Sequence, residues 1–193
     1  DYTGSVATQR WDVTSDATLI AADYGYTAVG YHTASWNSAA SGAGTSYAAG
    51  DDLGELTADK QLYAQWEPNT YSVIYDANTP GAASGTVANM PASATTLTFD
   101  ATEALSDTTP TLTGWTFEGW STDGTTYTHT SDESGVYAAG ASVSNLSSAP
   151  AADGTTTITL YAQWSPRTYN VEYVANTPDS ASMTVSGMPE SAA

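Results

Sequence analysis

Apolar and polar residues alternate with a period of two in several short segments, which is the pattern of half-buried β-strands. In segment 71–77, Tyr71, Val73 and Tyr75 fall on one face, and Ser72, Ile74 and Asp76 fall on the other. Segment 169–175 keeps Tyr, Val and Tyr at the same three places, while its opposite face changes. The retained face is therefore predicted to point into a core.

The same alternation predicts three further strands, at 95–99, 114–120 and 157–164. Segment 100–106 carries an Asp and a Glu three residues apart, as in a helix capping box, and predicts a helical turn or two. Segment 143–146 predicts a second brief helical turn. The expected fold is mainly β, of the α+β type with short helical crossovers. The positions predicted to point inward are Leu97, Phe99, Trp115, Phe117, Ile158, Leu160, Ala162 and Trp164.

The chain also repeats itself. Segment 62–80 returns as 160–178 with most positions identical, at an offset of 160 − 62 = 98. Segment 25–31 aligns with 114–120 at 114 − 25 = 89, and Trp11-Asp12 aligns with Phe99-Asp100 at 99 − 11 = 88. Such self-similarity predicts tandem copies of one small module.

The phase of the repeat divides the chain into three parts. Residues 1–68 form a first unit that lacks its opening strand, residues 69–166 form a complete second unit, and residues 167–193 are the opening strand of a third. This last strand either completes unit 1 of a neighbouring copy by strand addition, or belongs to one long covalent array. For assembly, the candidate interface residues are Tyr169, Val171, Tyr173 and Val174.

Three ordered motifs carry a family resemblance: Tyr71 to Asn78, Gly114 to Trp120, and Leu160 to Trp164. With these motifs the chain resembles the Listeria–Bacteroides repeat family, which includes the B-repeat of internalin B. The resemblance implies a β-grasp-like module, used in tandem in extracellular stalks and adhesins of bacteria. It implies no catalytic residue and no cofactor.

Composition excludes several classes of partner. Three basic residues against 21 acidic ones give a net charge of −18, which excludes a nucleic-acid binder and argues against anionic lipid surfaces. The chain has no cysteine, so disulfides and thiolate metal sites are not available. No apolar run of 18 residues exists, so direct membrane insertion is not expected.

Few residues suggest metal or catalytic chemistry. His129 lies near Asp132 and Glu133, but a metal site would need more converging ligands. The pairs Asp51-Asp52 and Asp123-Gly124 offer oxygen ligands for Ca²⁺, although ordinary turns explain them without an ion. No catalytic, cofactor-binding or metal residue is therefore predicted.

Aromatic residues leave two interpretations open. Trp120 and Tyr161 fall on the faces opposite the predicted core, and Trp36 falls in a predicted loop, so these three are candidates for stacking on a ligand. Packing within or between modules is the other interpretation, and it is the one that the pattern favours. Lys60, the one lysine of the chain, is a remote candidate for an isopeptide bond.

The sequence thus predicts a non-enzymatic repeat of a cell-surface stalk, adhesin or extracellular filament. Its expected partners are other copies or repeats, or a host or cell-surface protein or glycan. One alternative is a carbohydrate- or protein-binding module that uses exposed Trp and Tyr. Another is an accessory domain of a secreted hydrolase.

Overall fold

The computed structural model describes residues 26–171, apart from residues 127, 129 and 132. Within these residues the chain forms ten strands and no helix, so the mainly β class is confirmed. In chain order the strands are β1 (Tyr31–Asn37), β2 (Ser46–Tyr47), β3 (Tyr63–Pro68), β4 (Thr70–Asp76), β5 (Thr95–Thr98), β6 (Glu103–Ala104), β7 (Trp115–Ser121), β8 (Val136–Tyr137), β9 (Ser142–Val143) and β10 (Thr157–Pro166).

The strands form a small sheet of order β2-β1-β3, a large sheet of order β5-β4-β10-β7-β8, and the two-stranded pair β6-β9. Strands β4 and β10 are parallel, and every other pair is antiparallel. Strand β3 is followed almost at once by β4, so the chain leaves the small sheet at Pro68 and enters the centre of the large sheet at Thr70.

The core of the large sheet contains the residues that alternation placed inward. Tyr71 and Val73 are fully buried, and Tyr75 packs partly buried against them, while Ile74 on the other face is exposed. Leu97 from β5 closes one side. Leu160, Ala162 and Trp164 of β10 are all 0% exposed, which confirms the predicted inward face of that strand.

Trp120 corrects one of the predictions, because it lies in this core rather than on the opposite face. It is 0% exposed and packs edge-on to Phe117, with the ring centroids 5.0 Å apart. The cause is a β-bulge: Gln163 pairs with Gly119 and Trp164 pairs with Phe117, so Glu118 is an extra residue in β7. One extra residue reverses the alternation, and residues on either side of it then share a face.

Both predicted helical turns are wrong. Asp100 has a left-handed φ of 59°, and β6 (Glu103–Ala104) pairs with β9 (Ser142–Val143) across the region where helices were expected. The Glu103 carboxylate does accept a backbone N–H, as a capping-box residue would, but the donor is Thr98 at 2.6 Å. Tertiary pairing therefore overrides the local capping signal.

The small sheet and part of the large sheet have the same strand pairing. In β1–β3, Trp36 pairs with Ala64 and Thr33 pairs with Trp66. In β7–β10, Trp120 pairs with Ala162 and Phe117 pairs with Trp164. Both pairs of strands have one extra residue at the same place, Ala34 in β1 and Glu118 in β7.

This pairing corrects the upstream alignment. Trp36, not Tyr31, is the equivalent of Trp120, so the offset in this region is 120 − 36 = 84 rather than 89. Gly30 and Gly114 then correspond, and both have a left-handed φ, of 77° and 79°. The offset between equivalent residues rises from 84 to 98, because the loop between β7 and β10 is longer than the loop between β1 and β3.

Candidate inter-unit interface

The small and large sheets are joined at Asn69, between β3 and β4. Its backbone N–H donates to the Gly30 carbonyl at 2.7 Å, and its carbonyl accepts the Phe99 N–H at 2.9 Å. One residue therefore bridges the start of β1 to the end of β5. Asn69 is 4% exposed, so these bonds are shielded from water.

The Asn69 side chain makes two more bonds at the join. Its Nδ2 donates to the Pro150 carbonyl at 2.7 Å, and its Oδ1 lies 2.8 Å from His32 Nδ1. Since the amide oxygen can only accept, this arrangement requires the imidazole proton on Nδ1. A buried amide with both ends satisfied fixes the two sheets in one relative position.

An aromatic contact covers the same join. Tyr31 meets Phe99 edge to face, with ring centroids 5.7 Å apart. The Phe99 ring lies directly over Gly30, where a Cβ would come within 2.3 Å of its atoms. Only glycine fits this place, both for its φ and for the ring above it.

Asp100 adds a polar contact at the edge of the join. It accepts a hydrogen bond from Tyr31 Oη at 2.8 Å and another from Asn145 Nδ2 at 2.7 Å, while the Asp100 N–H donates to Asn145 Oδ1. The Asn145 bond, followed by the Tyr31 bond, lowers the pKa of Asp100 below its ordinary value. The ionised carboxylate is therefore the form that this contact favours.

A second face with the same backbone geometry lies at the far end of the large sheet. Arg167 N donates to the Gly114 carbonyl at 2.8 Å, as Asn69 N donates to that of Gly30. Here, however, a Cβ at Gly114 would have no atom of the described residues within 4 Å. Thr116 and Arg167 are exposed, whereas their counterparts His32 and Asn69 are half-buried and buried. We call Gly114, Trp115, Thr116 and Arg167 the distal face.

The distal face borders an open depression of about 460 Å³. Residues of β7 and Arg167 contribute to its wall, together with the loop that precedes β7, including Pro110 and Leu112, and with Thr86 and Ala88 from the connection between β4 and β5. Its lining mixes apolar rings with hydroxyl groups and one guanidinium group, and it holds no pair of carboxylates.

The small sheet is less well covered than the large one. Leu62 and Ala64 are half-buried, whereas their counterparts Leu160 and Ala162 are 0% exposed. In the large sheet, β4 pairs with β10 in parallel, along the edge of β10 that does not pair with β7. Within the described residues, β3 pairs only with β1, so a strand in the position of β4 is missing from that part of the small sheet.

The segment that resembles β4 ends the described chain. Tyr169 is 74% exposed and Val171 is 71% exposed, although their counterparts Tyr71 and Val73 are 1% and 0% exposed. Tyr173 and Val174, the other two candidate assembly residues, lie outside the described residues, as do residues 1–25. The described part of this predicted strand therefore exposes the apolar side chains that its counterpart buries.

The predicted ligand-stacking aromatics are not gathered at a site. Trp36 is a strand residue of β1, not a loop residue, and is 6% exposed, with the Tyr26 ring 6.1 Å from its own. Trp120 is fully buried. The Tyr161 ring packs against Gly124, where a Cβ would come within 2.6 Å of it. The structure therefore corrects the idea that Trp36 and Trp120 are exposed to a ligand.

The acidic turns bind their own backbone. Asp51 Oδ2 accepts the Ala48 N–H, Asp52 Oδ1 accepts the Gly54 N–H, and Asp123 Oδ1 accepts the Thr125 N–H, all at 2.7–2.8 Å. No three His, Asp or Glu side chains converge as metal ligands among the residues that the structure describes. His129 and Asp132 lie outside that set.

Lys60 lies beside an aromatic ring rather than beside a carboxylate. Its Nζ is 4.6 Å from the centroid of Tyr47, at a distance typical of a cation–π contact. The isopeptide proposal requires an Asn or Asp side chain next to this amine. The observed contact instead places the amine over a ring at the end of the small sheet.

Sequence reasoning missed most of the inter-unit interface. Neither alternation nor repetition assigns a role to His32, Asn69, Asn145 or Pro150, and Asp100 is predicted only as a helix cap. These contacts join residues up to 81 positions apart, which no local pattern reports. One sequence signal does mark this interface: a glycine precedes each of the two bulged strands. The two glycines, Gly30 and Gly114, correspond only when the units are aligned at an offset of 84.

Comparisons with known proteins give one relative. The chain is 29% identical over 176 residues to a protein of Evansella cellulosilytica described as "Putative Gly-rich membrane protein", covering 86% of this chain and 18% of that protein. The chain thus spans about a fifth of that relative. No family model matches the chain, and no solved structure matches it. Among the described residues, no helix is both long and apolar enough to cross a membrane.

Proposed function

We propose that this chain is a non-catalytic structural repeat of an extracellular stalk, adhesin or filament at a cell surface. The observation that carries the proposal is the repeated pairing: β1–β3 and β7–β10 share a register, a bulge and a left-handed glycine. Two such units are joined by the buried Asn69 and by the Phe99 ring over Gly30. A fixed join between like units is what a stalk or filament needs.

The module itself is proposed to be β-grasp-like, of the Listeria–Bacteroides type. A parallel pair of strands in the middle of a mainly antiparallel sheet supports this assignment, since β4 and β10 are central and parallel. The similarity to part of a protein described as "Putative Gly-rich membrane protein" supports a surface location.

Copies are proposed to join head to tail by strand addition. The predicted opening strand at 169–174 keeps the Tyr, Val and Tyr of one face of β4, and Tyr169 and Val171 are exposed. The small sheet has half-buried Leu62 and Ala64 where a counterpart of β4 would cover them. Backbone bonds along the added strand would supply affinity, and its alternate apolar side chains would fill the core.

The large sheet supplies the register of this addition. Ile158 pairs with Val73 and Leu160 pairs with Tyr75. Moving each residue by 98 positions predicts that Lys60 of one copy pairs with Val171 of another (158 − 98 = 60; 73 + 98 = 171). The same shift predicts that Leu62 pairs with Tyr173. Tyr63 would pair with Val174 (161 − 98 = 63; 76 + 98 = 174), and the rest of β3 would continue past the added strand.

A peptide experiment tests strand addition. The receptor is the full chain carrying Val171→Asp, which disables its own tail, and the ligand is a synthetic peptide of residues 167–179. We expect added peptide to slow amide hydrogen exchange at 59–63, because the register of β4 and β10 places the new ladder bonds there. A control peptide with Ser at 169, 171 and 173 should leave exchange unchanged. Equal exchange with both peptides would contradict strand addition.

A further inference from the structure

We infer that the distal face is a docking surface for the Trp11-Asp12 segment of a second copy of this chain. The inference rests on the proposed function, and it names a second contact between copies besides the added strand. Its basis is that the same backbone geometry occurs twice in the chain. Phe99 lies over the glycine in one place, and no described atom lies within 4 Å of a Cβ at Gly114 in the other.

The covered face shows what the occupant is. At the join, Gly30 and Tyr31 receive Phe99 and Asp100: the ring lies over the glycine and the carboxylate accepts from Tyr31 Oη. On the distal face, Gly114 and Trp115 stand in the places of Gly30 and Tyr31. The two glycines differ in φ by only 2° and accept the same backbone bond, so the backbones present the same shape.

The sequence of the occupant is present elsewhere in the chain. Trp11-Asp12 aligns with Phe99-Asp100, and in both places an aromatic residue is followed by an aspartate. The aromatic ring would lie over Gly114, and the carboxylate would lie near the distal face. Because Arg167 stands in the place of the neutral Asn69, the distal face also carries a cation suited to that carboxylate. Arg167 is one of three basic residues in a chain of net charge −18.

Strand addition and this docking are geometrically consistent. In the large sheet, β4 pairs with β5 so that Thr70 is opposite Thr98, immediately before Phe99. The same pairing across two copies places Thr168 opposite Arg10 (70 + 98 = 168; 98 − 88 = 10), immediately before Trp11. A tail strand that enters a second copy in the register of β4 therefore brings Trp11 of that copy to the distal face of the first.

Sedimentation velocity of the full chain over a concentration series tests the inference with a matched pair of variants. Gly114→Asn places a side chain where the Trp11 ring would lie, and Gly54→Asn is the control. Both glycines have a left-handed φ, 79° and 70°, and neither Cβ would have a described atom within 4 Å. Asparagine tolerates this φ, so both variants should fold alike. We expect Gly114→Asn to weaken self-association at least about tenfold and Gly54→Asn to change it less than about twofold.

A charge exchange tests the partner. Asp12→Arg alone should weaken association because it places a cation against Arg167, and Asp12→Arg combined with Arg167→Asp should restore it. Failure of the double variant to recover, or equal association of the two glycine variants, would overturn the docking. If Val171→Asp abolishes association while Gly114→Asn does not, strand addition stands without this contact. A wild-type chain that remains monomeric at every concentration overturns docking between copies, whereas the peptide experiment still decides strand addition separately.

Discussion

The small sheet and the β7–β10 part of the large sheet are near copies in pairing, yet they differ in what covers them. At the join, Gly30 lies beneath Phe99, while its counterpart Gly114 is open among the described residues. In the cores the contrast is reversed: Leu160 is fully buried, while its counterpart Leu62 is only half-buried. Among the described residues, each unit therefore has a covering group at the place where its counterpart shows none.

This complementarity explains how one local design can serve in an array. The backbone bonds and the bulge belong to a unit by itself and occur in both copies. At the join, the ring over Gly30 comes from the adjacent unit. In the large sheet the strand beside the core is β4 of the same unit, and for the small sheet we propose the tail strand of another copy. Stability in such an array depends on intrinsic unit terms plus nearest-neighbour terms. Substitutions at equivalent positions should therefore separate the two kinds of term.

The largest effect is expected from the two equivalent tryptophans. Trp120→Ala should lower the free energy of unfolding by about 3–5 kcal/mol, because the ring is fully buried between Tyr75 and Phe117. Trp36→Ala should cost less, because the small sheet around it has fewer strands and half-buried neighbours. Urea unfolding of both variants measures the difference. A larger loss for Trp36→Ala would contradict the assignment of the better-formed core to the large sheet.

The two equivalent glycines test the join itself. Gly30→Ala and Gly114→Ala should both lower the free energy of unfolding by roughly 1–2 kcal/mol, because each places a Cβ on a residue with a left-handed φ. Only Gly30→Ala also forces the Phe99 ring away, which should add about 1–3 kcal/mol. The measurement is urea unfolding at low protein concentration, where association does not contribute. Equal losses would mean that the Phe99 contact does not constrain the two units.

The equivalent residues Asn69 and Arg167 form a third pair. Asn69→Ala removes the bonds to His32 and Pro150 and leaves buried partners unsatisfied, so a loss of about 1–3 kcal/mol is expected. Because the Arg167 side chain is exposed, Arg167→Ala should change the free energy of unfolding by less than about 0.5 kcal/mol. Thermal unfolding of the two variants gives the comparison. A loss for Arg167→Ala comparable with that for Asn69→Ala would show that the distal face is already held within one chain.

The smallest effect is a pH dependence at the join. Because hydrogen bonds from Asn145 and Tyr31 lower the pKa of Asp100, the folded state favours the carboxylate. Its stabilising contribution is present above the ordinary value of 3.8 and is lost as the pH falls through the lowered folded value. The stability difference between wild type and Asp100→Asn should therefore shrink on acidification below 3.8. A difference that does not depend on pH would exclude the carboxylate as the stabilising form.

The strands were predictable where one face is buried and no residue interrupts the period, as in Tyr71, Val73 and Leu160. Alternation failed at Trp120, because the extra residue Glu118 turns Trp120 toward the core, and the hydrophobic pattern does not reveal a bulge. It also failed at Asp100 and Glu103, where a capping signal that fits a helix is used between strands instead.

The candidate interface was only partly accessible from sequence. Repetition predicts that Tyr169 and Val171 are copies of Tyr71 and Val73 that fill the core of another copy, and within this chain both side chains are exposed. It did not predict that Asn69 bridges the units, because its partners lie 37 and 81 residues away. Sequence alignment at an offset of 89 does not match Gly30 with Gly114. The strand pairing gives an offset of 84, at which these two glycines are equivalent.

The most direct measurement is electron cryo-microscopy of the concentrated wild-type chain. The account predicts filaments or closed rings in which the join at Gly30 and Phe99 recurs between copies at Gly114 and Trp11, with a strand from 169–174 beside β3 of the next copy. Single 20.0 kDa particles, or assemblies joined through any other face, would contradict it.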